Sequence, residues 1–356
     1  MSSNLVKSFV ATAMLAMIGY STTESQFGSA AIAQGKPKIV ASYSVLCDFL
    51  DTIAADTIDL TCLIEGGQDP HAFRPTPADS RAIEQAQVIF YGGYDFEPQI
   101  INLVEEVGDT KPTIAIHEAV VSDPIMGEAH DHGGHEGHED HDDHGHDDHG
   151  HDDHGHDDHE HENHSKAEKA EAEVPDPHVW HDVNNAIAMV DYLQTTLLQL
   201  NPAQSALYLE NSAQLREELV RLHPWIQQQV STIPEEQRVL VTSHDALNYY
   251  VQAYEFKDYK QLQGLSSEDS PSASDVRELV QEIRSSQVPT IFTESTSSDR
   301  VIQTVAREAG VQVSDTGLLV DGLGKSGTDT DTYTKMMVSN TCAIVNGLGG
   351  QCQQFE

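Results

Sequence analysis

Short apolar runs and helical-period stripes alternate along most of the chain. Lys38–Ala41 reads as a strand, and Val45, Leu46, Phe49, Leu50 and Ile53 then fall on one helical face. Further strands are expected at Ile58–Ile64, Val88–Tyr91 and Thr113–Ile116. Thr76-Pro77-Ala78-Asp79 reads as a helix start, with Thr as N-cap, Pro at the first helical position and an acid at the third. Strands alternating with helices predict a parallel sheet covered on both faces.

A long polar stretch interrupts this rhythm. Beyond it, Asn184 is expected to cap a helix running to about Leu200, broken by Asn201-Pro202. A long helix from Pro202 to Val230 follows, with Ala206, Leu209, Ala213, Leu219, Leu222 and Ile226 at steps of three and four and His223-Pro224 as a point of kinking. A second alternating region then predicts strands at Arg238–Thr242, Pro289–Thr293 and Val311–Val313. Its expected helices are Ala246–Tyr254, Ser274–Ser285, Ser298–Gly310 and Thr332–Asn346. The expected fold class is α/β: two lobes with parallel-rich sheets covered by helices, joined by one long backbone helix. Ligands of such sheets bind beyond the carboxyl ends of the strands, which between two lobes means the cleft.

Two segments fall outside the globular pattern. Near the start, Lys7 precedes an apolar run from Phe9 to Ile18, and small residues lead to Ala31-Ile32-Ala33. The run is too short to span a bilayer, and its order is that of a signal peptide cleaved after Ala33. No Cys stands at the cleavage point, so a soluble, periplasmic product is expected. The second segment, 128–173, has almost no apolar side chains. HDDHG occurs at 141–145, 146–150 and 151–155, and HDDHE at 156–160. Its fourteen histidines are His130, His132, His135, His138, His141, His144, His146, His149, His151, His154, His156, His159, His161 and His164. Such a stretch cannot bury enough surface to offset chain entropy, so disorder is expected, with the histidines as accessory, weak zinc ligands. The expected organisation is a signal peptide at 1–33, an N-terminal lobe at 34–127 and the insertion at 128–173. A ligand segment with a helix completing that lobe follows at 174–201, then the linking helix at 202–230 and the C-terminal lobe at 231–356.

The formal net charge is −39, which argues against nucleic acid or anionic membrane as partners and suits cations. No stretch after the leader is long and apolar enough to span a membrane. Four cysteines, Cys47, Cys62, Cys342 and Cys352, suggest disulfides in an exported chain. Three connectivities are possible, and the local one, Cys47–Cys62 with Cys342–Cys352, is the expectation.

Four residues sit where a cleft would use them. His71 follows the strand ending at Ile64, within a loop fixed by Gly66, Gly67 and Pro70. His178 stands in Asp176-Pro177-His178 just before a helix, His244 directly after a strand, and Asp321 in Leu319-Val320-Asp321-Gly322. Three imidazoles and a carboxylate suit tetrahedral Zn²⁺, whereas manganese prefers more oxygen, and Cu²⁺ or Ni²⁺ would also bind. His181 is a possible ligand or orienting neighbour; Asp315 and Glu294 are rival acids, and His117 and His223 read as structural. A secreted zinc hydrolase is disfavoured, since a catalytic zinc keeps an open position and neither H-E-x-x-H nor G-x-S-x-G occurs. An adhesin holding zinc structurally is a further alternative.

The ordered motifs GGQDPHAFRPTPAD, DPHVWHDV, VTSHDALNYY, IFTESTSSDRVIQTVAREAG and LLVDGLG resemble the ZnuA-type solute-binding proteins of bacterial zinc ABC importers, over nearly the whole mature chain. The resemblance implies two lobes on one rigid helix, no enzymatic activity, a monomer, and a membrane permease as partner. It implies metal ligands at His71, His178, His244 and Asp321, with Glu294 as a supporting partner. It also implies zinc rather than manganese, because manganese-binding relatives usually carry Glu where His244 stands. Departures are His181, where relatives often have Leu, and Cys47 and Cys62, where small or polar residues are expected.

Overall fold

A computed structural model describes residues 35–128, 173–268, 271–296 and 300–356. The leader and the fourteen histidines of the insertion lie outside the described residues. Four strands, β1 (Lys38–Tyr43), β2 (Asp59–Ile64), β3 (Val88–Tyr91) and β4 (Thr113–Ala115), form a parallel sheet in the order β2-β1-β3-β4. The helices of this half are α1 (Ser44–Ala54), α2 (Pro77–Gln85), α3 (Pro98–Val107) and α4 (Ile116–Val120). The expected cap of α2 is present as a reciprocal box between Thr76 and Asp79. A short antiparallel ribbon of β5 (Met126–Glu128) and β6 (Glu173–Pro175) brackets the insertion.

Two helices connect the halves, α5 (Val183–Leu200) and α6 (Ser205–Ser231). Asp182, not Asn184, caps α5: its carboxylate accepts the Asn184 N–H, so the helix starts one residue before the expected cap. The 27 residues of α6 span about 40 Å at 1.5 Å per residue. This helix packs on α1 and α5 and also on α10 (Tyr333–Gly347), so it touches both halves. The buried face of its first turns differs from the expected one. Tyr208, Ser212 and Leu215 are buried, whereas Leu209 is 50% exposed and Ala206 and Ala213 face solvent. The polar residues win because they are satisfied: Tyr208 Oη lies 2.9 Å from Thr57 Oγ1, and Ser212 Oγ donates to the Tyr208 carbonyl at 2.6 Å. Leu219, Leu222 and Ile226 are buried as their spacing predicted.

The second half repeats the first. Strand β7 (Val239–Thr242) pairs in parallel with β8 (Asp258–Gln261), and β9 (Thr290–Ile291) with β10 (Gln312–Val313). Phe292 N–H donates to the Val241 carbonyl at 2.9 Å and joins the pairs, giving β8-β7-β9-β10, the same order as in the first sheet. Helices α7 (Asn248–Ala253), α8 (Ala273–Ser285) and α9 (Arg300–Ala309) complete this half with α10. Strand β8, reading Asp-Tyr-Lys-Gln, carries no apolar signal and was not expected. Among the described residues no helix is long and apolar enough to cross a membrane.

Cys47–Cys62 and Cys342–Cys352 are bonded, the local connectivity. The first closes a 15-residue separation between α1 and β2, a length for which chain-entropy reasoning gives about 3 kcal/mol. Replacing both Cys47 and Cys62 by Ala is expected to lower unfolding free energy by roughly that amount, read from the urea midpoint. An unchanged midpoint would show that the reduced chain already holds these elements together.

Candidate metal centre

His71, His178, His244 and Asp321 converge at the carboxyl ends of the two sheets, and all four are buried. Each offers one ligand atom, and these atoms lie within 4.8 Å of one another. Asp321 Oδ1 is 3.5 Å from His71 Nε2, 3.6 Å from His178 Nε2 and 3.2 Å from His244 Nε2. His71 Nε2 and His178 Nε2 are 3.4 Å apart. A tetrahedral ion with bonds of 2.0–2.1 Å has edges of about 3.3 Å, so these separations suit such an ion at the centre.

Local sequence fixes each imidazole. In both Asp-Pro-His segments the aspartate turns back onto the histidine's own backbone. Asp69 Oδ1 accepts the His71 N–H at 2.9 Å, and Asp176 Oδ1 accepts the His178 N–H at 2.8 Å. Asp176 Oδ1 also lies 2.9 Å from His178 Nδ1. Glu294 Oε2 takes the same role for His244 Nδ1 at 2.6 Å, while its Oε1 accepts the backbone N–H groups of Ser243 and His244. Nδ1–H donation to a carboxylate leaves the Nε2 lone pair aimed into the cluster. Thr296 Oγ1 donates to Asp321 Oδ2 at 2.7 Å, leaving Oδ1 for the centre. His244 Nε2 and Asp321 Oδ1 have no hydrogen-bond partner despite full burial, an arrangement that a cation resolves.

The remaining sequence candidates fall elsewhere. His181 turns away from the centre, and its Nε2 donates to the Val320 carbonyl at 2.8 Å. Burial lowers its pKa to about 4. Asp315 lines a separate surface pocket beside Gln312 and Ser339. His117 is buried behind the cluster with Nε2 2.7 Å from Tyr43 Oη, and His223 packs beside Tyr254. Sequence reasoning missed Phe96, whose ring stands edge-on against both His71 and His178 with centroids at 5.3 and 5.6 Å. A lone aromatic in a Gly-rich loop carries no ligand signal, so only the fold reveals it.

The electrostatics favour a cation. Burial pushes the His244 pKa down, but the charges of Glu294 and Asp321 outweigh it and hold it well above the ordinary value. His178 is likewise raised, burial being overcome by the hydrogen bond to Asp176 and the nearby Asp321 carboxylate. Burial pushes Asp321 up, yet the charge of His244 and the close approach of the His178, His244 and His71 rings hold it well below the carboxylate range.

The fold and the centre define a two-lobe receptor with a candidate metal centre between its sheets. Over residues 39–347 the chain matches the model of ZnuA, zinc-uptake complex component A, periplasmic, and it belongs to that family. The family is one of solute-binding proteins and not of enzymes. The manganese-binding lipoprotein MntA of Halalkalibacterium halodurans is 27% identical over 316 residues, 87% of this chain and 88% of that protein. The manganese ABC transporter substrate-binding lipoprotein scaA of Streptococcus gordonii is 26% identical over 346 residues, 96% and 98% of the two chains. The solved periplasmic zinc binding protein TroA of Treponema pallidum matches with a TM-score of 0.72 at 26% identity, covering 88% of this chain and 99% of that one.

Two outcomes are expected. Glu294→Gln should weaken metal binding about ten- to a hundredfold in chelator competition, because it removes the charge behind His244. Unchanged affinity would mean that Glu294 only holds the loop. Because the His244 and His178 pKa values are raised, both rings carry protons in the metal-free site at pH values above the ordinary range near 6.5. A metal must displace those protons, so affinity should fall as pH falls, starting above about 6.5, with proton release on binding. Calorimetry at neutral pH in buffers of different ionisation enthalpy reads that release directly, and a buffer-independent heat would contradict it.

Proposed function

We propose that the protein captures Zn²⁺ between its lobes through His71, His178, His244 and Asp321 and delivers it to the membrane permease of an ABC importer. The observation that carries this reading is the buried cluster of three imidazoles and one carboxylate oxygen, with separations of 3.2–3.6 Å about Asp321 Oδ1. Glu294 and Asp176 support it by fixing the tautomers of His244 and His178. The zinc in this site is cargo.

Manganese is the second reading, favoured by the names of MntA and scaA. The donor set weighs against it. Manganese is matched by oxygen-rich sites, whereas three of the four donors here are imidazole nitrogens. The name of TroA agrees with zinc.

The remaining parts fit the same role. Residues 1–33 act as the export signal and leave a free periplasmic monomer of two lobes, 34–127 with 174–201 and 231–356, on the 202–230 helix. The histidines of 128–173 hold further zinc weakly, as a reservoir or sensor feeding the cleft. Ligands from both lobes let metal favour the closed arrangement, and differential affinity of that kind shifts the population toward the form that docks on the permease.

The test is metal stoichiometry and affinity against chelators of known strength, on mature protein intact and lacking 130–164, with zinc and with manganese. One tight zinc in both forms, with weak extra sites only in the intact form, is expected. Tight zinc lost with the deletion would make the insertion the receptor and remove the cleft assignment. Tighter manganese than zinc in the shortened form would establish the second reading.

A further inference from the structure

Asp321 reaches the centre on a segment that changes allegiance between the lobes. Leu319 is tied to the second half: its N–H donates to Asn340 Oδ1 of α10 at 2.9 Å, and Asn340 Nδ2 donates to its carbonyl at 2.7 Å. From Val320 onward the backbone is held by the first half. His181 Nε2 donates to the Val320 carbonyl at 2.8 Å. Leu323 N–H donates to Ser44 Oγ, at the start of α1, at 2.9 Å, and the Leu323 carbonyl accepts from Gly67 N–H at 2.8 Å. The approach is close enough that a Cβ on Gly66 would lie 2.1 Å from the Gly324 carbonyl oxygen. Ser44, His181, Val320, Asp321 and Leu323 are all buried. Side chains of the second half also reach Asp321: Thr296 Oγ1 donates to its Oδ2 at 2.7 Å, and His244 Nε2 lies 3.2 Å from its Oδ1.

We infer that Val320–Gly324 is a strap docked on the first lobe, and that Ser44 and His181 are positioning residues that hold Asp321 in the centre without touching the cargo. The inference rests on the four-ligand reading of the centre. Its physical basis is the cost of leaving buried backbone groups unpaired: the strap's carbonyl and N–H groups stay satisfied only while docked. In that docked position Asp321 Oδ1 meets the three imidazoles. Undocking the strap therefore removes the centre's carboxylate while leaving His71 and His178 on the first lobe. Release of the ion then runs through a local opening of five residues, and Ser44 and His181 set its frequency.

The test uses the full chain loaded with one equivalent of zinc and chased with excess chelator. Ser44→Ala and His181→Phe each remove one hydrogen bond to the strap and should speed release about three- to tenfold, with the association rate unchanged. Amide exchange at 320–324 should rise in the loaded variants, while thermal midpoints of the metal-free forms report whether folding is intact. His181→Gln, which keeps an N–H donor, should restore part of the retention lost in His181→Phe. In an Asp321→Ala background, Ser44→Ala should add nothing further, because it acts through that carboxylate. Wild-type release in both Ser44→Ala and His181→Phe, or equal acceleration in the Asp321→Ala background, would overturn the inference. Wild-type release in Asp321→Ala alone would instead remove the four-ligand reading on which it stands.

Discussion

A single buried carboxylate oxygen, Asp321 Oδ1, organises this protein. Three imidazole nitrogens face it at 3.2–3.6 Å, and it has no hydrogen-bond donor of its own. Burying an ionised carboxylate is costly unless a positive charge compensates. Protonated imidazoles supply that charge in one state, which explains why His244 is raised and Asp321 lowered, each against the direction that burial pushes it. A divalent ion supplies it in the other, with the neutral nitrogens as ligands. On the proposed reading, the centre exchanges protons for metal. The carboxylates behind the rings, Asp176 and Glu294, stabilise either form, since both need hydrogen at Nδ1.

The two sheets exist in the geometry that this centre requires. Both run in the same strand order and present the carboxyl ends of their strands at the cleft. His71 follows β2, and His244 follows β7, so the same place in each lobe supplies a ligand. The Asp-Pro-His segments add rigidity on the first lobe, where proline fixes one dihedral and the aspartate ties the histidine's N–H. With α6 packed on α1, α5 and α10, the halves share a stiff support.

Much of this was legible in the sequence because the signals are local. Strands β1 to β4, the cap at Thr76 and the long α6 follow from period, capping residues and breakers within a few positions. The strand-to-helix placement of His71, His244 and Asp321 needed only the rule about carboxyl ends, and the structure brings these residues together with His178. What escaped depends on partners distant in the chain. The phase of the first turns of α6 is set by Thr57 and Gln194, and the polar strand β8 exists because β7 offers an edge. Phe96 becomes part of the centre only when β3, the 69–71 loop and the 176–178 turn meet around it. The contact of His181 with Val320 spans 139 positions, so its orientation could not be read locally.

The choice of metal and the choice of fold meet at His244. Glu294 lies 2.6 Å from His244 Nδ1 and also caps the backbone of Ser243 and His244, so it cannot leave without disturbing the turn. A carboxylate in place of that imidazole would stand against Glu294 with like charge and no water to screen it, which is unfavourable in a buried site. The glutamate behind the ring therefore selects an imidazole in front of it. Under the four-ligand reading, that leaves three nitrogens and one oxygen, a set that suits a tetrahedral ion better than one that needs more oxygen ligands. On the proposed reading, specificity would rest on a residue that does not touch the ion, just as the inferred strap carrying Asp321 would govern the ion's retention.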